Sequence, residues 1–169
     1  ALTATLVLAT ALYLIGENIE RFINRVEPHE LPTVSEHARS LHRASFVLDM
    51  HADSALMGRD LLERSRFGHV DLPRLVQGGV GMQFFTIPTK VPYSRDIHNT
   101  REGDPDVLRL LGTIRWGSLR RTGLFRRAMV QVEEVRHAVE RSDGELVAIR
   151  TRKDLEALLD ARANGESRV

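Results

Sequence analysis

The stretches SFVLDMHAD (residues 45–53) and DLPRLVQGGVGMQFFTI (residues 71–87) decide the fold. The first begins with an apolar run and the second ends with one. In neither run do apolar and polar residues simply alternate, which is typical of a parallel strand covered on both faces. Between the runs, Asp71 is placed to cap a short helix that ends at a glycine pair. Strand, helix and strand in this order predict a βαβ unit.

The same alternation continues toward the end of the sequence. Residues 104–114 predict a helix, and residues 126–141 predict a longer amphipathic one with Met129, Val132 and Val139 on its inner side. Leu146 to Ile149 predict a third short strand. A final helix follows, with Thr151 and Asp154 as its capping box. The fold class is therefore α/β with a mostly parallel sheet, and a further strand is expected just after Val169.

The N-terminal part differs in composition from the rest. Residues 1–16 carry no charge, and apolar residues then recur at helical spacing, so residues 1–26 predict an apolar helix. We interpret it as a membrane anchor or signal segment, with a buried N-terminal helix as the alternative. Residues 27–32 are interpreted as a linker, and residues 33–169 as one domain whose first helix has the capping box TVSE at 33–36.

Composition excludes several classes of protein. The 169 residues include 24 Lys+Arg and 23 Asp+Glu, so a net charge of +1 gives no global attraction to nucleic acid. There is no cysteine, which excludes disulfides, thiol nucleophiles and zinc held by thiolates. Residues 109–127 contain six arginines and no acid. They are interpreted as a solvated helix pair, with a membrane-surface or nucleic-acid patch as the alternative.

The candidate functional residues are His51 and Asp53, at the end of the first predicted strand. Side chains two positions apart share one face of a strand, so Asp49, His51 and Asp53 point to the same side. An imidazole and a carboxylate at the carboxyl end of a barrel strand are suited to catalytic zinc. Asp49, one step deeper, is placed to orient His51. Solvation of both side chains in a loop is the alternative.

Both stretches together resemble the opening of the membrane dipeptidase family, the renal dipeptidase-like zinc metallopeptidases. The family's first strand ends in Asp-x-His-x-Asp, matched here by residues 49–53. Its second strand is preceded by Asp-(Leu/Ile)-Pro-Arg-Leu and Gly-Gly-Val, matched by residues 71–75 and 78–80, and a Gln-Phe-rich strand follows. The resemblance is strong over residues 45–88 and looser over residues 104–165, and it covers only the family's N-terminal portion.

This resemblance implies the N-terminal part of a (β/α)8 TIM barrel of the metal-dependent hydrolase type, with two Zn²⁺ ions in the complete protein. It implies that His51 and Asp53 bind one zinc, and that a metal-bridging hydroxide cleaves dipeptides. The family's bridging Glu and its two other His ligands lie on later strands and have no counterpart here, so this chain alone is expected to be inactive. Ala52 and Ser54 replace residues that many members carry as Asn and Leu.

The expected function is therefore a zinc-dependent dipeptidase-like hydrolase, with a non-catalytic, barrel-derived binding or assembly protein as the alternative. The expected partners are a dipeptide or related small amide, the remaining C-terminal part of the barrel, and a membrane contacted through residues 1–26. A homodimer is left open, and nucleic acid is not expected. The expected location is at a membrane, facing the periplasm or exterior, and a cytoplasmic location is left open.

Overall fold

The chain forms a mixed arrangement of helices and parallel strands, as the α/β prediction requires. The computed structural model describes residues 10–11, 21–30, 32–93, 98, 103–109 and 123–169. The helices are α1 (Glu36–Ala44), α2 (Leu72–Gln77), α3 (Leu124–Arg141) and α4 (Arg152–Ala163), with a 3₁₀ helix at Ser54–Met57. The strands are β1 (Val47–Ala52) and β2 (Val80–Phe85).

The two strands form the predicted βαβ unit. β1 pairs with β2 in parallel, with Asp49 opposite Gln83 and Ala52 opposite Phe85. Because the strands are parallel, their carboxyl ends meet at one edge of the sheet. In the described part of the chain this sheet has two strands. The (β/α)8 barrel therefore stays a prediction.

α2 forms for the reasons that the sequence indicates. The carboxylate of Asp71 accepts a hydrogen bond from the backbone N–H of Arg74, and the helix ends at Gly78. Gly79 follows with φ of 66°, a left-handed conformation that favours glycine. Asp71 is only 1% exposed, and the guanidinium of Arg74 pairs with its carboxylate. The cap is therefore a buried, charge-assisted contact rather than a surface turn.

The start of the sheet is shaped by an aromatic ring beside a glycine. A Cβ built on Gly81 would lie 2.5 Å from the ring of Phe46, so the ring occupies the space that a side chain would need. The guanidinium of Arg162, in α4, lies 5.9 Å from the centre of the same ring. Gly81 therefore lets α4, β2 and the residue before β1 approach one another closely.

The core lies between the helices and β2. Its buried members are aliphatic, in keeping with an aromatic content of 5%. They are Leu61, Leu72, Leu75, Ala138, Leu146 and Val169. The face of β1 that carries Leu48 and Met50, opposite to that of Asp49 and His51, is not covered in the described part of the chain. Leu48 is 42% exposed and Met50 is 70% exposed.

The predicted third strand at Leu146 to Ile149 is not formed as such. These residues lack regular strand structure, although Val169 lies beside them. The N–H of Val169 donates to the carbonyl of Glu145 at 2.9 Å, and the N–H of Val147 donates to the carbonyl of Val169 at 2.8 Å. This is one rung of a parallel ladder, which is too little pairing to define a strand.

The structure tests only part of the predictions made for the N-terminal residues. The predicted helix over residues 1–26 falls mostly on residues 1–9 and 12–20, which lie outside the described residues. Among the described residues, no helix is long and apolar enough to span a bilayer. The capping box at residues 33–36 is wrong: α1 begins at Glu36, and the hydroxyl of Ser35 accepts from the N–H of Ala38. Ser35 caps this helix because its side chain reaches the free N–H three positions on.

Candidate functional site

The candidate site lies where β1 ends. His51 is the second-last residue of the strand and Asp53 is the first residue after it. The Nε2 atom of His51 lies 3.5 Å from the Oδ1 atom of Asp53. The shared face that the alternation predicted is thus present, and it brings an imidazole nitrogen and a carboxylate oxygen together.

Asp49 contacts His51 in a way that the sequence did not predict. Its carboxylate accepts a hydrogen bond from the backbone N–H of His51 at 3.1 Å, rather than from the imidazole ring. Asp49 therefore fixes the main chain at His51. The side chain of Gln83, opposite Asp49 on β2, donates to the Asp49 carbonyl at 3.4 Å and ties the two strands together.

Thr86 is a site residue that the sequence reasoning missed. Its hydroxyl donates to the Oδ1 atom of Asp53 at 2.5 Å, and its backbone N–H donates to the carbonyl of Ala52 at 2.9 Å. Thr86 directly follows β2, and the carboxyl ends of neighbouring parallel strands lie side by side. The expected adjacency of the two strand ends could have identified Thr86 from the sequence.

The site is open to solvent. The side chain of His51 is 71% exposed and that of Asp53 is 45% exposed. Water therefore screens their mutual attraction, and neither group carries a large desolvation cost. Both side chains are therefore accessible to a ligand. The arrangement does not stabilise the fold strongly, and this leaves it available for binding.

The donor pair fits one side of a zinc coordination sphere. Zinc binds imidazole nitrogen and carboxylate oxygen at about 2.0–2.2 Å, so two donors of a tetrahedral ion are about 3.3–3.6 Å apart. The observed 3.5 Å between His51 and Asp53 is close to this separation. A catalytic zinc site has three protein ligands. Among the described residues, no group of three or more His, Cys, Asp or Glu side chains converges in this way.

Buried polar side chains of α3 hold the segment after Thr86 in place through hydrogen bonds to the carbonyls of Pro88 and Thr89. The guanidinium of Arg127 donates to the carbonyl of Thr89 at 2.9 Å and pairs with the carboxylate of Asp106. The amide of Gln131, which is fully buried, donates to the carbonyl of Pro88 at 3.0 Å. Residues 88–93 are thereby held at the same edge of the sheet as the candidate site.

Burial raises the pKa of Asp106, but hydrogen bonds outweigh it and the pKa lies below its usual value. The donors are the Arg127 guanidinium and the backbone N–H groups of Val91 and Leu108. Arg127 thus corrects one expectation. It belongs to the arginine-rich segment interpreted as solvated, yet its side chain is 7% exposed. Residues 110–122 of that segment lie outside the described residues.

His42 and His137 make contacts in other parts of the fold. His42 contacts the carbonyl of Gly78 at 2.9 Å and joins α1 to the end of α2. His137 lies on α3, 3.8 Å from Glu133, with its side chain 57% exposed. Neither contact involves His51 or Asp53, which stay the candidate metal ligands.

Comparisons of this chain with family models, with curated proteins and with solved structures gave no match.

Proposed function

We propose that this chain is part of a zinc-dependent, dipeptidase-like hydrolase and supplies His51 and Asp53 to the metal site. The observation that carries the proposal is the 3.5 Å approach of His51 Nε2 to Asp53 Oδ1 at the carboxyl end of β1. The motif resemblance adds the reaction class, and the βαβ unit is consistent with the start of a (β/α)8 barrel. The remaining ligands would be supplied from outside these residues.

Each neighbouring group has a role in this proposal. His51 would bind the metal through Nε2 and Asp53 through a carboxylate oxygen. Thr86 would orient Asp53 by donating its hydroxyl hydrogen to Oδ1, and Asp49 would hold the backbone of His51. When bound, zinc would lower the pKa of water toward neutrality and polarise the scissile amide carbonyl of a dipeptide. Two ligands are fewer than catalytic zinc needs, so the chain alone is proposed to be inactive.

A zinc titration followed by NMR of the histidine rings tests the metal site in this chain. The ring of His51 should shift first, His51→Ala should abolish that response, and Asp53→Asn should weaken it. His37→Ala is the matched control, since His37 is an exposed histidine on α1. An unchanged zinc response in His51→Ala would show that the metal binds elsewhere.

Hydrolysis is tested on the protein that contains the rest of the barrel. There, His51→Ala and Asp53→Ala should each lower dipeptide turnover by orders of magnitude, because the metal generates the nucleophile. Circular dichroism should show matched folding of the variants. Full turnover in His51→Ala would refute the proposed site, whatever the motifs resemble.

Membrane association belongs to the same proposal. It rests on the uncharged residues 1–16, most of which lie outside the described residues. The chain should partition with membranes, facing the periplasm or exterior, and deletion of residues 1–26 should release it. Recovery of the intact chain in the soluble fraction would contradict an anchor.

A binding or assembly role is the second candidate function. One observation favours it: a mainly apolar cavity of about 670 Å³ lies between β2, α3, α4 and residues 146–150. A cavity of this size is large enough to take a ligand or a peptide segment. Zinc-dependent turnover by the complete protein would favour the hydrolase. A metal-free protein that still binds an apolar partner would favour this alternative.

A further inference from the structure

The end of α4 is a turn that favours glycine. Asn164 is the C-cap of the helix, and Gly165 follows with φ of 88°, in the left-handed region. The N–H of Gly165 donates to the carbonyl of Arg162 at 3.0 Å, and the N–H of Glu166 donates to the carbonyl of Ala161 at 3.1 Å. These two bonds form the Schellman motif that commonly ends a helix at a glycine. The fold therefore places a glycine directly after an asparagine.

An asparagine followed by glycine is chemically labile. The backbone nitrogen of the glycine can attack the Cγ atom of the asparagine, and glycine has no side chain to hinder that approach. Of the four asparagines in the sequence, only Asn164 precedes a glycine. Asn164 and Gly165 are both exposed, and a Cβ built on Gly165 would meet no atom within 4 Å. The surroundings therefore leave room for a ring to close between these two residues.

We propose that Asn164 is a site of spontaneous deamidation, with solvent water as the co-reactant. The backbone nitrogen of Gly165 forms a bond to Cγ of Asn164 and gives up its proton, and the side-chain nitrogen leaves as ammonia. The resulting succinimide ring then takes up one water molecule. Opening at one carbonyl gives aspartate. Opening at the other gives isoaspartate, in which the main chain runs through the former side-chain carbon. The inference does not depend on the proposed metal chemistry, because neither residue belongs to the proposed metal site.

The native turn opposes this reaction and sets its rate. Asn164 has ψ of 7°, which rotates the nitrogen of Gly165 away from the Asn164 side chain. The same N–H is occupied by its hydrogen bond to Arg162. The ring therefore closes only after the turn has opened. Because helix ends open at a small cost in free energy, the folded chain should deamidate about tenfold more slowly than a free peptide of residues 163–168.

The product would change how residues 166–169 are held. The guanidinium of Arg162 donates to the carbonyl of Arg168 at 2.6 Å, and the N–H of Val147 donates to the carbonyl of Val169 at 2.8 Å. Isoaspartate adds one carbon to the main chain just before this segment, so the segment would lose its register with both donors. Aspartate keeps the length of the main chain and adds only a negative charge at the negative end of the helix dipole.

The test incubates the full chain at mildly alkaline pH and follows its tryptic peptide 163–168 by mass spectrometry. The mass of this peptide should rise as a side-chain NH₂ is replaced by OH. An isoaspartyl methyltransferase with labelled methyl donor should then label the same peptide. The variant Asn164→Gln should lose both signals, because its longer side chain closes a ring far more slowly. Asn24, which precedes an arginine, is the internal control and should stay intact.

Two results would overturn the proposal. An unchanged peptide 163–168, at a time when the free peptide has been converted, would show that the folded turn prevents the reaction. Equal methyl labelling of Asn164→Gln would place the isoaspartate elsewhere, for example at Asp143, which also precedes a glycine. The wild-type chain gives a further measurement should the variant disturb folding: the rate of mass gain should rise with pH, since the attacking nitrogen must lose its proton.

Amide hydrogen exchange tests the structural consequence. In the aged chain, exchange at Val147 should be roughly fivefold faster than in the fresh chain, because the hydrogen bond from Val147 to Val169 is weakened. Fresh Asn164→Asp is the matched control: it carries the added charge with a main chain of normal length, and its Val147 should exchange as in the fresh wild type. Equal exchange in the aged and fresh chains would refute the loss of register.

Discussion

Removing the Arg127 guanidinium should destabilise the chain far more than removing an exposed arginine from the same helix. The Arg127 side chain is 7% exposed and that of its partner Asp106 is 13% exposed, so Arg127→Met leaves a largely buried carboxylate without its counter-ion. Breaking a buried pair in this way costs about 3–5 kcal/mol. Asp106 keeps two backbone donors, from Val91 and Leu108. We therefore expect Arg127→Met to lower the free energy of unfolding by about 3 kcal/mol, the lower end of that range.

Urea unfolding followed by circular dichroism measures this effect. The control is Arg136→Met, which removes the same group from α3 at a site where the side chain is 43% exposed and pairs with Glu133 and Glu140. That control should unfold at nearly the wild-type urea concentration, because exposed pairs contribute little. Equal midpoints for the two variants would refute the reasoning that the buried pair holds residues 88–93 on α3.

Three further predictions concern acid stability, packing and the candidate site. The folded-state pKa of Asp106 lies below its ordinary value of 3.8, so its ion pair stabilises the chain above about pH 4 and the contribution is lost as the pH falls through the folded-state pKa. Urea midpoints of wild type should therefore fall more steeply below pH 4 than those of Asp106→Asn. Gly81→Ala should lower the free energy of unfolding, measured in urea, by about 1–2 kcal/mol, because the ring of Phe46 fills the space that the new methyl group needs. The control Gly103→Ala should lower it less, because a Cβ at Gly103 would have no atom within 4 Å. Thr86→Val should weaken zinc binding by about 10–100-fold in calorimetric titrations of the complete protein, since it removes the hydrogen bond to Asp53, and unchanged affinity would contradict that role.

Patterns within short stretches of sequence predicted the helix caps, the two strands and the position of His51. The cap of α2 by Asp71 and the capping box of Thr151 and Asp154 in α4 are confirmed, because each depends on residues three positions apart. The parallel pairing of β1 with β2 is confirmed as well. The position of His51 beside Asp53 follows from strand alternation alone.

Contacts between distant parts of the chain could not be predicted in the same way. Thr86 meets Asp53 across 33 residues of sequence, and Arg127 meets Asp106 across 21. A polar residue on a helix is expected to face solvent, so the periodicity did not predict that Arg127 and Gln131 are buried. Val139, which it placed on the inner side of α3, does pack against the core. Gln131 is buried there because it caps the carbonyl of Pro88, which depends on where the chain goes after β2.

β2 connects the candidate site with the apolar cavity. On one side, Thr86 fixes the end of β1 through its hydrogen bonds to Ala52 and Asp53. On the other side, Met82 and Phe85 border the cavity, where the strand has no partner in the described part of the chain. A two-stranded sheet is only marginally stable by itself. Because Thr86 directly follows β2, the same strand positions the hydroxyl that binds Asp53 and forms one wall of the cavity.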